Sequence, residues 1–189
     1  MDAFLLSFGI IFVAELGDKS QLMALAFAAR YRALPILIGI TIATTLVHAV
    51  SVLVGAAVGV ALPTDAISVV AGLAFFAFAA WTLRGDTLGE GEASRAERST
   101  RSAIVAAAVA FFLAELGDKT MLATVTLATS EGLLGTWLGS TLGMVAADAL
   151  AILVGQQLGA RLPERTIRIG ASILFVLFGV VLVAEGLRG

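Results

Sequence analysis

Long apolar stretches alternate with short polar ones along the whole chain. Six apolar stretches lie near residues 4–29, 34–62, 66–83, 102–129, 133–159 and 166–186. As a helix rising about 1.5 Å per residue, each is long enough to cross a hydrocarbon layer of about 30 Å. The pattern therefore predicts an all-α integral membrane protein with six transmembrane helices.

One polar interruption is longer than the others. Residues 84–101 read RGDTLGEGEASRAERSTR, which is rich in glycine, serine and charge and is typical of a flexible connection. The remaining breaks are short and lie at 30–32, 63–65, 130–132 and 160–165. We therefore expect two three-helix units, 1–83 and 102–189, joined by the linker loop 84–101.

The two halves of the chain repeat one another. An offset of 100 residues aligns them without gaps from about residue 12 to 67, so that LVG at 53–55 meets LVG at 153–155. A unit with three spans must enter the membrane in opposite directions in its two copies. The sequence therefore predicts an inverted repeat, an arrangement typical of secondary transporters.

Composition agrees with a membrane protein and excludes several chemistries. Of the 189 residues, 59% are hydrophobic and 14% charged, where soluble domains carry about 25% charged residues. The chain has no cysteine, which excludes disulfides and thiolate chemistry. No basic segment precedes the first apolar stretch, which argues against a cleaved signal peptide. We expect a lipid bilayer around the protein and no nucleic-acid partner, and the sequence leaves the oligomeric state open.

Arginine is distributed unevenly between the two sides of the predicted bundle. One side has only Arg188, and the other carries the remaining nine. These are Arg30, Arg32, Arg84, Arg95, Arg98, Arg101, Arg161, Arg165 and Arg168. Because basic loops stay in the cytoplasm, we expect a protein of the cell inner (plasma) membrane with loop 84–101 in the cytoplasm. Both termini are then expected on the outer side of this membrane.

A charged motif occurs twice inside the apolar stretches, as AELGDKS at 14–20 and AELGDKT at 114–120. If span 1 is a continuous helix, the i, i+3 spacing places Glu15 and Asp18 on one face. Lys19 lies four residues after Glu15 and is expected to pair with it along that helix. The same expectations hold for the second copy, which contains Glu115, Asp118 and Lys119.

Charges at the centre of a membrane helix cost about 2.5–3.5 kcal/mol each, and such residues usually mark a functional site. When all are ionised, the four carboxylates and two lysines leave two negative charges, which one divalent cation or two protons would balance. Together with the hydroxyls of Ser20 and Thr120, the carboxylates offer hard oxygen ligands that suit Ca²⁺, Mg²⁺ or Mn²⁺. The structural alternative is that Glu–Lys pairs only lock two helices together, which leaves Asp18 and Asp118 without a partner.

Six spans with two copies of E-x-G-D-K-[ST] resemble the GDT-type manganese/calcium transporter family, which includes bacterial manganese exporters and Golgi cation/proton exchangers. The resemblance covers nearly the whole chain, and the doubled motif is specific. It implies that Glu15, Asp18, Glu115 and Asp118 form a cation site. It also implies export of Mn²⁺ or Ca²⁺ from the cytoplasm in exchange for protons, with the cation as substrate and no cofactor or enzymatic activity.

Four further positions are candidates for supporting roles. The family often has glutamine after the Ser or Thr of the motif, and this chain keeps Gln21 but has Met121 in the second copy. A thioether ligand at Met121 would favour Mn²⁺ over Ca²⁺, whereas a packing role would leave selectivity unchanged. His48 and its repeat partner Asp148 lie on spans 2 and 5, where Asp148 is a candidate proton acceptor or outer ligand and His48 can equally be a packing residue.

Other functions remain open at this point. An intramembrane enzyme that uses paired carboxylates is one alternative, although the chain has no HExxH or GxSxG motif. An exporter of a cationic amino acid would need a wider pocket with aromatic walls, and the aromatic residues do not lie near the motifs. A channel is less compatible with charges compensated at the midplane of an inverted repeat.

The arginine distribution gives a testable topology. Because the chain has no native cysteine, single substitutions report cleanly on access to a membrane-impermeant maleimide. Ser94→Cys is expected to react only from the cytoplasmic side of vesicles, and Asp65→Cys and Glu131→Cys only from the outside. The reverse labelling pattern would overturn the orientation.

Overall fold

The computed structural model describes residues 2–28, 31–61, 63–84, 103–158 and 164–188, and all regular structure within them is helical. The helices are α1 (Asp2–Glu15), α2 (Lys19–Ala28), α3 (Ala33–Ala61), α4 (Thr64–Arg84), α5 (Ala103–Glu115), α6 (Lys119–Leu127), α7 (Leu133–Leu158) and α8 (Glu164–Arg188). An all-α fold is thus confirmed for these residues. The predicted linker loop 84–101 lies outside the described residues except for Arg84.

Four of the six predicted spans are single helices. Spans 2, 3, 5 and 6 correspond to α3, α4, α7 and α8, with ends that differ from the predicted ones by at most two residues. The prediction that spans 1 and 4 are continuous helices is wrong. Span 1 is divided into α1 and α2, and span 4 into α5 and α6, with both interruptions at the charged motif.

Length and composition identify two helical stretches that can cross a membrane, Ala33–Gly59 in α3 and Leu133–Val154 in α7. Three further apolar helices are shorter: Ala3–Glu15, Ser68–Arg84 and Ala103–Glu115. The six-span arrangement therefore stays a prediction.

The surface and interior of α3 and α7 are reversed relative to a water-soluble protein. Leucine, isoleucine and valine side chains are exposed along one face of α3. They are Leu34, Ile38, Ile42, Leu46, Val50 and Leu53. On the same helix Thr44, His48 and Ser51 are buried. A continuous apolar surface over a polar interior is favourable where the surroundings are lipid rather than water.

The two halves interlock through close backbone contacts. A Cβ added at Gly139 of α7 would overlap the backbone oxygen of Phe4 in α1, and one at Gly39 of α3 would overlap that of Ile104 in α5. These contacts are related by the 100-residue offset. The first helix of each half therefore packs against a long helix of the other half, α1 against α7 and α5 against α3.

The contacts also fix the relative directions of the helices. Along α7, Gly135, Gly139 and Gly143 meet α1 at successively later residues, so α1 and α7 run parallel, and the contacts of α3 with α5 and α6 show the same order. By contrast, Gly186 of α8 meets Asp65 near the start of α4, so α4 and α8 run antiparallel.

Buried apolar side chains form two clusters. One surrounds Phe27 and Phe111 and joins α2, α3 and α5. The other surrounds Phe75 and joins α1, α4, α6 and α8. Ala14 belongs to the second cluster and Ala114 to the first, so the helix ends that carry the two motifs are anchored in separate cores.

Candidate cation site at the two helix breaks

Each charged motif forms a break between two helices. Gly17 and Gly117 have φ angles of 75° and 79°, a left-handed conformation that glycine adopts without a steric penalty. As a result α1 ends at Glu15 and α2 begins at Lys19. The expectation that Glu15 and Asp18 share one helix face is wrong, because the break separates them.

The side chain four residues after each glycine accepts a hydrogen bond from the glycine N–H. Gly17 N donates to Gln21 Oε1 at 2.8 Å, and Gly117 N donates to Met121 Sδ at 3.1 Å. Gln21 and Met121 therefore occupy equivalent places, and in this conformation the thioether faces the backbone. Gln21 also donates through Nε2 to the backbone oxygen of Ala147 at 3.1 Å, which fixes α2 to α7.

The lysines pair with the aspartates of the opposite motif. Lys119 Nζ lies 2.8 Å from Asp18 Oδ1, and Lys19 Nζ lies 3.4 Å from Asp118 Oδ1. The predicted pairing of each lysine with the glutamate of its own motif is wrong, as is the expectation that a lysine lock leaves the aspartates without a partner. The helix break is the reason, since it removes the i, i+4 geometry that an uninterrupted helix would have provided.

The two glutamates differ in their surroundings although both are buried. Glu115 Oε2 accepts a hydrogen bond of 2.7 Å from Thr120 Oγ1. Neither carboxylate oxygen of Glu15 has a hydrogen-bond partner among the described residues, nor does the buried hydroxyl of Ser20, the counterpart of Thr120. Glu115 is therefore held by a side-chain hydrogen bond that Glu15 lacks.

Acidic groups from both motifs come together with one from α7. Glu15, Glu115, Asp18 and Asp148 lie close enough to repel one another electrostatically. Within the described ranges no three acidic or histidine side chains are spaced to hold a metal ion. The site thus gathers the charge that a cation requires, while in this conformation ammonium groups lie beside the aspartates.

Asp148 and His48 are both fully buried, as repeat partners on α7 and α3. The carboxylate oxygens of Asp148 have no hydrogen-bond partner among the described residues, and the structure brings this side chain to the acidic group. His48 Nδ1 lies 3.4 Å from Thr141 Oγ1. A threonine neighbour is compatible with a packing role for His48.

Two buried hydroxyls of α7, those of Thr136 and Ser140, are not among the candidate residues predicted from the sequence. Their oxygens have no hydrogen-bond partner within the described part of the chain. Their i, i+4 spacing, which places both on one helix face, was the signal that would have found them.

The comparison with known families agrees with this arrangement. The model of the family described as "Divalent cation/proton antiporter GDT1" matches residues 3–90 and 103–189. The chain belongs to the GDT1 family. The resemblance inferred from the doubled motif is thereby confirmed, and the protein is a member of a family of membrane cation transporters rather than of enzymes.

Several relatives of this GDT1 family member align over nearly its whole length. It is 37% identical over 183 residues to a Vibrio cholerae protein named "Putative manganese exporter". This alignment covers 95% of this chain and 90% of that protein. It is 30% identical over 199 residues to a GDT1-like protein of Synechocystis, with 96% of each chain covered.

A plant relative is longer. The Arabidopsis thaliana chloroplast protein PAM71 is 33% identical over 208 residues, which cover 95% of this chain and 56% of that protein. No solved structure matches the chain significantly.

The positive φ at the second break gives a clean substitution test. A Cβ at Gly117 would meet nothing within 4 Å, so Gly117→Ala should act only through the backbone and destabilise the protein by roughly 1–2 kcal/mol. Gly9→Ala is the matched control, because Gly9 also has open space but lies inside helix α1. Thermal unfolding in detergent should show a lower midpoint for Gly117→Ala and an equal or higher one for Gly9→Ala. An equal rise of the unfolding midpoint in both variants would mean that the protein does not require the positive φ angle at Gly117.

Proposed function

We propose that this protein is a secondary transporter that exports a divalent cation from the cytoplasm, Mn²⁺ in preference to Ca²⁺, in exchange for protons. The observation that carries the proposal is the meeting of the two motifs. Lys119 contacts Asp18 at 2.8 Å and Lys19 contacts Asp118 at 3.4 Å. Charges that lie 100 residues apart in the sequence therefore share one buried site.

The helix directions support an inverted repeat with six spans. In a chain that crosses the membrane six times, spans 1 and 5 run in the same direction, as do spans 2 and 4, and spans 3 and 6 run in opposite directions. The parallel packing of α1 on α7 and of α3 on α5, with α4 antiparallel to α8, has this pattern. A site shared by two inverted units can open alternately to the two sides of a membrane.

The chemistry of the site favours a hard divalent cation. We assign Glu15, Asp18, Glu115 and Asp118 as its ligands, with the hydroxyls of Ser20 and Thr120 in support. All six side chains are buried, and all offer oxygen, the donor that Mn²⁺ and Ca²⁺ prefer. The manganese named in the Vibrio cholerae relative supports Mn²⁺ as the first choice.

Protons are the natural exchange partner of such a site. Carboxylates that approach one another repel when the site is empty, and bound protons relieve this repulsion as a cation does. The four motif carboxylates with two lysines leave two negative charges, which two protons or one divalent cation neutralise equally well, and the buried Asp148 beside them can carry a further proton. The family description, which names a cation/proton antiporter, supports the same exchange.

The arginine distribution supports the direction of transport. Loop 84–101 and the other arginine-rich loops are assigned to the cytoplasm, and both termini to the outside. A proton gradient directed into the cell then drives the cation outward.

Removal of one aspartate charge should stop transport without preventing membrane insertion. Asp18→Asn and Asp118→Asn are each expected to lower Mn²⁺ flux into proteoliposomes by at least about tenfold, since weaker changes around metal sites already cost 10–100-fold. Glu15→Gln and Glu115→Gln should be comparably damaging. The matched control is Asp65→Asn, which makes the same change at an exposed position.

Flux assays with Mn²⁺, Ca²⁺ and Mg²⁺ in competition, under an imposed pH gradient, measure both the loss and the cation preference. Wild-type flux in both aspartate variants would refute the assignment of the site. A preference for Mg²⁺ over the other two cations would refute the assignment of the substrate.

Proton exchange is measured directly from the internal pH of the vesicles. Addition of Mn²⁺ on one side should move protons in the opposite direction, and Asp118→Asn vesicles should show neither flux. Mn²⁺ transport that leaves the internal pH unchanged under every imposed gradient would exclude coupling to protons.

A further inference from the structure

The chain contains only two lysines, Lys19 and Lys119, while its other ten basic residues are arginines. Both lysines stand at the first position of a helix that follows a break, and each reaches the aspartate of the other motif. Lysine is thus confined to the site.

Asp118 stands at the start of a helix but does not cap it with its side chain. It is the N-cap residue of α6, with φ −77° and ψ 169°, yet its side chain makes no capping hydrogen bond. An aspartate at this position usually accepts a hydrogen bond from the start of the helix. Here one of its carboxylate oxygens lies 3.4 Å from Lys19 Nζ instead.

We propose that Lys19 and Lys119 are tethered counter-ions that occupy the transported cation's places beside Asp118 and Asp18 and withdraw when the cation binds. The inference deepens the proposed function and rests on it. Each ammonium stabilises a buried carboxylate while the site is empty, when an unpaired charge would be costly. A divalent cation that binds the same oxygen must displace the lysine, so cation and lysine compete.

Lysine suits this role better than arginine does. Its ammonium is a compact charge on a flexible stem, whereas the guanidinium of arginine forms a rigid, often bidentate pair with a carboxylate. A group that must release its partner in each transport cycle benefits from the weaker and more mobile contact.

The two pairs are not equivalent in this conformation. The distance in the Lys19–Asp118 pair is 3.4 Å, compared with 2.8 Å in the Lys119–Asp18 pair. The side chain of Lys19 is 18% exposed, compared with 4% for Lys119. Glu15, which precedes Lys19, also lacks the hydrogen bond that holds Glu115. We therefore expect the cation to displace Lys19 first and Lys119 only after the site has rearranged.

Mn²⁺ affinity of the purified protein in nanodiscs tests the competition. Lys119→Gln and Lys19→Gln remove the competing charge and should lower the Kd for Mn²⁺ by at least about fivefold, the lower end of ordinary coupling between two ligands. The effect should be larger for Lys119→Gln, because its contact is shorter and more buried. Arg84→Gln, which removes a positive charge from an exposed position, should leave the Kd unchanged.

A charge-preserving variant distinguishes competition from simple repulsion. Lys119→Arg and Lys19→Arg keep the charge and pair more firmly with the aspartates, so they should raise the Kd. Tighter binding in the glutamine variants with an unchanged Kd in the arginine variants would mean that the lysines act only through their field, which overturns the proposal. An unchanged or higher Kd in Lys19→Gln would overturn it as well.

Stability and turnover provide a second measurement. Without Mn²⁺ the glutamine variants should unfold at a lower temperature than wild type, because an aspartate charge is stranded, and saturating Mn²⁺ should restore more stability to them than to wild type. Their Mn²⁺ flux should fall although binding tightens, since the lysine no longer helps to release the cation. A purely structural lock would lower stability and affinity together.

The outcomes separate this proposal from the one on which it rests. If wild type neither binds nor transports Mn²⁺, both the function and the inference fail. If wild type binds and transports Mn²⁺ but Lys19→Gln does not bind it more tightly, only the inference fails. Should Lys119→Gln not fold, the more exposed Lys19→Gln carries the same test.

Discussion

Two ion pairs between the halves lie at the centre of this protein, where the buried aspartates of both motifs face lysines. A buried carboxylate without compensation is costly in a low-dielectric environment, and removal of one partner of a buried pair is strongly destabilising. In both ion pairs the lysine comes from the other half of the molecule, since Lys119 contacts Asp18 and Lys19 contacts Asp118. Each half alone therefore lacks the lysine that contacts the aspartate of its motif.

This exchange of partners agrees with the packing of the helices. Gly39 and Gly139 allow α3 to approach α5 and α7 to approach α1 backbone to backbone. These contacts bring the first break, which follows α1, and the second break, which follows α5, to the same place. Close packing and charge pairing thus join the same two halves.

Much of this arrangement could be predicted from the sequence. The 100-residue offset, the doubled motif and the family resemblance can all be recognised in the amino-acid sequence. Four of the six predicted spans have ends within two residues of the predicted ones. The pairing of the charges could not be predicted, because spacing rules assume a continuous helix. Gly17 and Gly117 adopt positive φ angles, and this change of direction moves each lysine from its own glutamate to the opposite aspartate.

The same limit applies to Gln21 and Met121. As letters they differ in polarity and in preference for metals, so the sequence indicated a difference in the ligand shell. In the structure each accepts the hydrogen bond of a glycine N–H at its break, through oxygen in one case and sulfur in the other. A pairwise comparison of residue types cannot identify a role that is defined by a backbone group.

The pairing of charges between the two halves also affects the synthesis of the protein. Asp18 and its partner Lys119 are separated by about 100 residues, and synthesis proceeds at roughly 5–20 residues per second. The ribosome therefore needs on the order of 5–20 s after Asp18 to reach the residue that neutralises it. During this interval α1 and α2 carry acidic side chains without their final partner, and they must be sheltered at the site of insertion or remain near its aqueous edge. The chain therefore neutralises the aspartate of its first motif only after it has made the second motif.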